Sequence, residues 1–275
     1  MLLEAKYFYD ISYGKIDVTA GKMISLWHDA REIGMELNTN GEYGDIPNGE
    51  ELEESIKHKG WDKIIIDDEN NTVFITDPYV SLDVGSVAKG YATQRVAEYL
   101  VTENVKNAVI DAGGNLKALS GKYNGKDWIT GIRNPNNPSL SPDDSLLTVQ
   151  YSGDKSAVTS GDYERAFIAK DGKSYSHIID PDTTYPADKY RSVTIITTDA
   201  GVADCLSTAL FCLDYEDGLK VIEQYKKDHD NAFLEVIWVA NKDINFETDN
   251  VYHTKSFNIA YTEGLKGKID IVNDK

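Results

Sequence analysis

A carboxylate and a hydroxyl stand four residues apart in the run Val202-Ala203-Asp204-Cys205-Leu206-Ser207-Thr208-Ala209-Leu210-Phe211-Cys212-Leu213. On a helix that spacing puts Asp204 and Thr208 on one face. The run is apolar nearly all round, so its helix is expected to be buried. A buried Asp must be paired, hydrogen-bonded or metal-bound, because isolating a charge from water is costly. Two readings follow: an Asp bonded to a nearby loop, or oxygen ligation of Mg²⁺, which takes carboxylate, hydroxyl, carbonyl and phosphate donors. Far upstream, Asp83-Val84-Gly85-Ser86-Val87-Ala88-Lys89-Gly90 reads as a strand end breaking into a helix start. Gly85 and Gly90 permit close backbone approach, and Ser86 is read as the helix cap. Lys89, one turn in, reaches back toward an anion at the free N–H groups of the helix mouth. Taken alone, that segment also suits an ordinary capped helix with a surface lysine. Together the two segments suit a hard cation seated against a phosphate ester.

Three further positions carry chemistry-bearing types. His177 precedes an apolar pair and an Asp-Pro turn in His177-Ile178-Ile179-Asp180-Pro181, and is read as a proton acceptor at a cleft rim. Gly113-Gly114-Asn115, after a short apolar strand, is either a tight turn or a corner where a flat ligand or phosphate meets backbone. Thr159-Ser160-Gly161-Asp162-Tyr163, a hydroxyl-rich corner with one aromatic, has the same two readings. His28, His58, His229 and His253 sit in polar surroundings and carry no signal.

The elements that must position these residues follow from periodicity and punctuation. Helices are expected at 2–13, 20–31, 49–58, 86–101, 201–213 and 215–228. A hairpin is expected over 61–76, turning at Glu69-Asn70-Asn71, and another at Lys170-Asp171-Gly172 between strands 164–169 and 173–179. Asp67, Asp68 and Glu69 fit no calcium-loop spacing and read as a solvated turn. Further strands are expected at 107–112, 115–120, 127–133, 145–152, 191–197, 233–240 and 255–262. Hairpins with helices inserted in pairs argue an α+β fold with largely antiparallel sheets. No internal repeat or long linker is visible, so residues 1–275 are expected to form a single domain.

Composition narrows the function classes. The 275 residues include 28 basic and 46 acidic side chains, 28 − 46 = −18. That balance disfavours nucleic acid or an anionic membrane as partner, since phosphate binding rests on clustered Lys and Arg. An anionic ligand must be held locally, by a metal or by backbone dipoles. Cys205 and Cys212 are seven apart on one expected helix, about 10 Å at ~1.5 Å per residue, too far for a disulfide. No signal peptide or membrane span is evident, so the chain as written is expected to be soluble.

Six motifs in order resemble those of one family. They are Asp83-Val-Gly-Ser-Val-Ala-Lys-Gly-Tyr91-Ala92, Asp111-Ala-Gly-Gly-Asn115, Gly131-Ile-Arg-Asn-Pro135, Thr159-Ser-Gly-Asp-Tyr163, His177-Ile-Ile-Asp-Pro181 and Ala203-Asp-Cys-Leu-Ser-Thr-Ala209. The chain thereby resembles the ApbE family, the FAD:protein FMN transferases, formerly called thiamine-biosynthesis lipoproteins. Gly14-Lys15-Ile16-Asp17-Val18-Thr19 resembles the family's upstream Gly-x-Phe-Asp-x-Thr element. The resemblance implies an α+β fold around a flavin cleft and a Mg²⁺-dependent transfer. The FMN half of FAD passes to a Thr or Ser hydroxyl of an acceptor protein, and AMP leaves. It implies that Asp204, Thr208 and the Ser86 carbonyl hold the metal, and that Asp17, Lys89 and Ile178 contact FAD. His177 becomes the catalytic histidine. Asp83, Gly113, Gly114, Ser160 and Gly161 are further expected contacts to the flavin nucleotide. The acceptor is expected to be a membrane redox-complex subunit or a secreted flavoprotein. FAD pyrophosphate hydrolysis and flavin binding without turnover are the alternatives.

Three departures from the family pattern stand out. Thr183-Thr184 replaces the usual Thr-Gly after the His-x-x-Asp-Pro segment, and Ile16 replaces an aromatic. The resemblance begins at Met1, so the family's N-terminal β-region and lipoprotein signal are expected to be missing. The family implies extracytoplasmic membrane attachment; no anchor is seen in this chain.

Overall fold

The computed structural model describes residues 1–139 and 141–273. The chain begins with three helices, α1 (Leu2–Ile11), α2 (Gly21–Thr39) and α3 (Gly49–Lys57). A hairpin of β1 (Ile64–Asp67) and β2 (Thr72–Ile75) leads to α4 (Gly85–Thr102). Strands β3 (Ala108–Asp111), β4 (Asn115–Leu119), β5 (Trp128–Arg133), β6 (Ser145–Tyr151) and β7 (Ser156–Gly161) follow, then β8 (Phe167–Ile168), β9 (Ser174–Tyr175) and β10 (Ser192–Thr197). Helices α5 (Ala200–Cys212) and α6 (Tyr215–Asp228) precede β11 (Leu234–Asn241), β12 (Val251–His253), β13 (Phe257–Tyr261) and β14 (Ile269–Ile271). Every ladder between these strands is antiparallel, as hairpin-rich patterning requires. No described helix is long and apolar enough to cross a membrane. Contacts group the chain into two units, residues 2–86 with 164–187, and residues 87–163 with 188 onward. The division falls inside α4, between Ser86 and Val87.

The first unit is mainly helical. Met23 and Trp27, four apart on α2, pack with Leu52 of α3 and with Phe167, Ala169 and Ile179. The second helix runs to Thr39 instead of ending at residue 31. A Cβ on Gly34 would overlap the Phe167 ring, so this glycine gives α2 its closest approach to β8 and the helix continues through it. The strands expected at 164–169 and 173–179 shrink to two residues each in β8 and β9. The Asp-Gly turn between them stands: Asp171 accepts from the Lys173 N–H and the Tyr175 hydroxyl.

Thr184 lies in the left-handed region at φ 64°. A β-branched side chain is disfavoured there by roughly 1–2 kcal/mol. The turn is held regardless, because the Thr184 N–H donates to the Asp180 carbonyl and the Trp27 indole donates to the Thr184 carbonyl at 2.7 Å. Thr184→Gly is therefore expected to stabilise the protein by about 1 kcal/mol, after the entropy that glycine adds to the unfolded chain. A thermal melt checks it, and a lower midpoint would show that the Thr184 side chain outweighs its backbone strain.

The second unit is built on a seven-stranded sheet of order β12-β13-β11-β10-β7-β4-β3 and a three-stranded sheet, β14-β6-β5. Alternation sorts the side chains of the large sheet. Ala157, Ile196, Ile237, Val239 and Phe257 face the small sheet and form one core with Leu146, Leu147, Val149 and Ile269. Val158, Ser160, Val193 and Ile195 face the other way, against α5, which packs on β4, β7 and β10. Residues 159–161, expected as a corner, end β7, a central strand pairing β10 on one side and β4 on the other. Ser, Thr and Gly gave this strand little apolar periodicity to recognise.

Candidate functional site

Asp204 is 2 % exposed on α5, and every described residue of that helix except Thr208 is buried. The helix starts at Asp199, whose Oδ1 accepts from the N–H groups of Gly201 and Val202. One oxygen of the Asp204 carboxylate, Oδ1, accepts from the Lys89 ammonium at 2.7 Å. The other, Oδ2, accepts from the Gly90 N–H at 2.8 Å. Helices α4 and α5 meet almost backbone to backbone here. A Cβ on Gly90 would overlap the Ala200 carbonyl oxygen and lie 2.5 Å from the Asp204 Cβ. The Ala200 N–H completes the crossing by donating to Gln94 Oε1. The glycine in the Lys89-Gly90 pair is thus explained by packing, and the lysine by charge.

One turn along α5, Ser207 and Thr208 turn toward the sheet. Ser160 Oγ lies 2.9 Å from Ser207 Oγ and 3.5 Å from Thr208 Oγ1. Gly161 packs against its neighbour Tyr163, whose ring would lie 2.8 Å from a Cβ at residue 161. Asp162, next in the motif, is held by Arg191 Nε at 2.6 Å, and Arg191 Nη2 also donates to the Pro135 carbonyl. Burial nevertheless raises the Asp162 carboxyl above the usual range, against the Coulombic pull of Arg191. Arg191 thus joins the Thr159–Tyr163 and Gly131–Pro135 motifs, which sequence reading left separate. Gly113 and Gly114 form the β3–β4 turn with φ of 65° and 87°. Both are exposed, and the Gly114 N–H donates to Asp111 Oδ1.

Asp204, Thr208, Ser207 and Ser160 offer oxygen alone. Among the described residues no group of three or more His, Cys, Asp or Glu forms a metal site. The hard-donor set fits Mg²⁺ completed by carbonyl, water and ligand oxygens, and does not fit a thiophilic ion. The thiols Cys205 and Cys212 are buried on α5 without a disulfide.

The remaining expected residues lie in the first unit. Asp83, not Ser86, caps α4: its Oδ1 accepts from the Gly85 N–H at 2.8 Å. Ser86 falls within the first helical turn, because the helix begins one residue earlier than expected. Asp17 is buried, with Oδ1 accepting from both the N–H and the hydroxyl of Thr19 and Oδ2 standing 3.8 Å from Lys59 Nζ. Lys59 also donates to the Pro181 carbonyl, and Lys15 bridges Asp180 and Asp182. The Gly14–Thr19 and His177–Pro181 motifs are thereby brought together. Burial pulls the Lys15 ammonium down, but its bonds to Asp180 and Asp182 win and hold it above the ordinary lysine range. Ile178 is buried, its carbonyl accepting from the Ala187 N–H. His177, half-buried, places Nδ1 2.9 Å from the Glu164 carbonyl. A carbonyl only accepts, so Nδ1 carries the proton and the lone pair of the neutral ring is on Nε2.

A helix–strand architecture of this kind has known counterparts. The profile described as "ApbE family" matches residues 1–233, and the chain belongs to the ApbE family. It is 31% identical over 229 residues to the FAD:protein FMN transferase of Klebsiella pneumoniae (strain 342), covering 83% of this chain and 64% of that protein. With the Haemophilus influenzae protein of the same name it is 31% identical over 259 residues, 93% of this chain and 68% of the relative. The chain thus spans about two thirds of the length of these relatives. Among solved structures, "Flavin Transferase ApbE from Vibrio cholerae" superposes with a TM-score of 0.70 at 26% identity, covering 97% of this chain and 75% of that one. An ApbE protein of Thermotoga maritima gives 0.67 at 32% identity over 85% and 70%.

Proposed function

We propose that this chain acts in Mg²⁺-dependent transfer of the FMN moiety of FAD to a Thr or Ser hydroxyl of an acceptor protein, with release of AMP. The observation that carries the reading is the buried Asp204 carboxylate on α5, held by Lys89 and the Gly90 N–H, with Thr208 one turn along the same helix. Mg²⁺ bound at these oxygen donors would supply Lewis-acid neutralisation of phosphate charge. The protein's own residues do the rest. Asp204 and Thr208 would hold the cation, a role the family resemblance also gives the Ser86 carbonyl, and Lys89 would add fixed positive potential. Asp17, Asp83, Ile178, Ser160, Gly161, Gly113 and Gly114 bind and orient the dinucleotide. His177 accepts the proton of the attacking hydroxyl at Nε2, with its tautomer set by the Glu164 carbonyl. An extracytoplasmic, membrane-attached setting, with an acceptor in a membrane redox complex or secreted flavoprotein, belongs to the same proposal.

Incubation with FAD and Mg²⁺, with and without an acceptor peptide containing Ser or Thr, tests it. Acceptor-dependent AMP release with flavin fluorescence on the peptide is the expected result. AMP release without acceptor would make the chain a pyrophosphatase, and intact FAD throughout would make it a binding protein. His177→Ala is expected to slow transfer about 10²–10⁴-fold while FAD binding stays within a few-fold. Unchanged transfer by that variant removes the histidine from the mechanism.

A further inference from the structure

Asn115 opens β4 at 1 % exposure, and neither its Oδ1 nor its Nδ2 has a hydrogen-bond partner. Among the described residues it alone buries a side chain with both polar atoms unpaired. Leaving a buried amide unbonded is costly, and natural folds seldom retain one without use.

Its place in the sheet says what the use is. Asn115 pairs with Val158 and Lys117 with Ser156. Directly opposed residues share a face, so Asn115 points to the side on which Ser160 meets α5. Two contacts calibrate positions along that helix. Lys117 Nζ donates to the Thr198 carbonyl just before α5, and Ser160 lies against Ser207. Asn115 lies between these markers, two strand residues or about 6.6 Å beyond Lys117. At ~1.5 Å per residue that equals about four residues of helix, which reaches the turn bearing Asp204.

We infer that the Asn115 carboxamide is a binding residue of the Asp204 site. Its Nδ2–H donates to an oxygen of a bound phosphate ester, and its Oδ1 accepts from a water held beside the cation. This assignment rests on the functional reading above.

The test pairs two measurements on wild type and Asn115→Leu, which keeps the size and removes both polar atoms. Titration of FAD in the presence of Mg²⁺, followed by flavin fluorescence, is expected to show about ten-fold weaker binding by the variant. Thermal melts without ligand are expected to show the variant at or above the wild-type midpoint, because an uncompensated amide has been removed. Equal FAD affinity in the two proteins overturns the assignment and leaves the functional reading standing. A variant that melts several degrees lower without ligand also overturns it, since the carboxamide then serves the fold. If wild type itself binds no FAD with Mg²⁺, the functional reading falls and this assignment with it.

Discussion

Asp204→Asn is expected to lower FMN transfer by about a thousand-fold or more while changing the melting midpoint by only a few degrees. The amide matches the carboxylate in shape, and its oxygen still accepts from Gly90 or Lys89. What it lacks is charge, and removing a fixed electrostatic contact to the reacting group costs about 10²–10³ in rate even for a single donor. In the proposed reading Asp204 also holds the cation, and its loss then stands above that range. Asp204→Ala separates the catalytic from the structural role. It removes the hydrogen bond from the Gly90 N–H to Oδ2 and the packing of the buried carboxylate, about 1 kcal/mol or more, so it should lose stability as well as transfer. Lys89, with its side chain 48% exposed, turns to water and adds little to that loss. Acceptor-dependent AMP release and calorimetric melts read the two effects. If Asp204→Asn transferred at the wild-type rate, the carboxylate would have no part in the chemistry.

Gly90→Ala has the second largest expected effect, through packing. The added methyl group meets the backbone carbonyl of Ala200, which cannot swing aside as a flexible side chain would. Either α4 or α5 must move, at about 3 kcal/mol, which lowers the midpoint of a protein this size by roughly 6–12 °C. The same movement draws the Gly90 N–H away from Asp204, so transfer falls with stability. Gly85→Ala makes a useful comparison. Its new Cβ would lie 3.0 Å from the Asp83 side chain, which can give by a few tenths of an ångström where a backbone carbonyl cannot, and a small loss is expected. Equal melting of wild type and Gly90→Ala would show that the two helices tolerate a wider crossing.

Local pattern made much of the fold legible. Apolar runs located α5, β10 and β11 within a residue or two, and the Asp171-Gly172 turn was read from its dipeptide. The Asp204–Thr208 spacing was readable for the same reason, since four residues on a helix always share a face. Lys89 and Asp204 are 204 − 89 = 115 positions apart, and nothing local in either segment announces their ion pair. Arg191, which binds two motifs together, lies in neither of them. The strand β7 was hidden because its sheet contacts use Ser, Thr and Gly, whose composition also suits a turn. Ser86 was misread as a cap because Asp83 can reach forward to the Gly85 N–H, and several polar residues in a row offer more than one cap. Asn115 was visible only as the end of a glycine turn, and its missing partners became apparent once the sheet placed it.

The burial of α5 on nearly every side has a kinetic consequence. A helix so enclosed exchanges its amide protons only when the surrounding sheet opens, so its hydrogen–deuterium exchange should be among the slowest in the molecule. If Asp204 binds as proposed, anchoring it in such an element means little motion has to be frozen on ligand arrival, and the entropic penalty is left to exposed Lys89 and to the ligand itself.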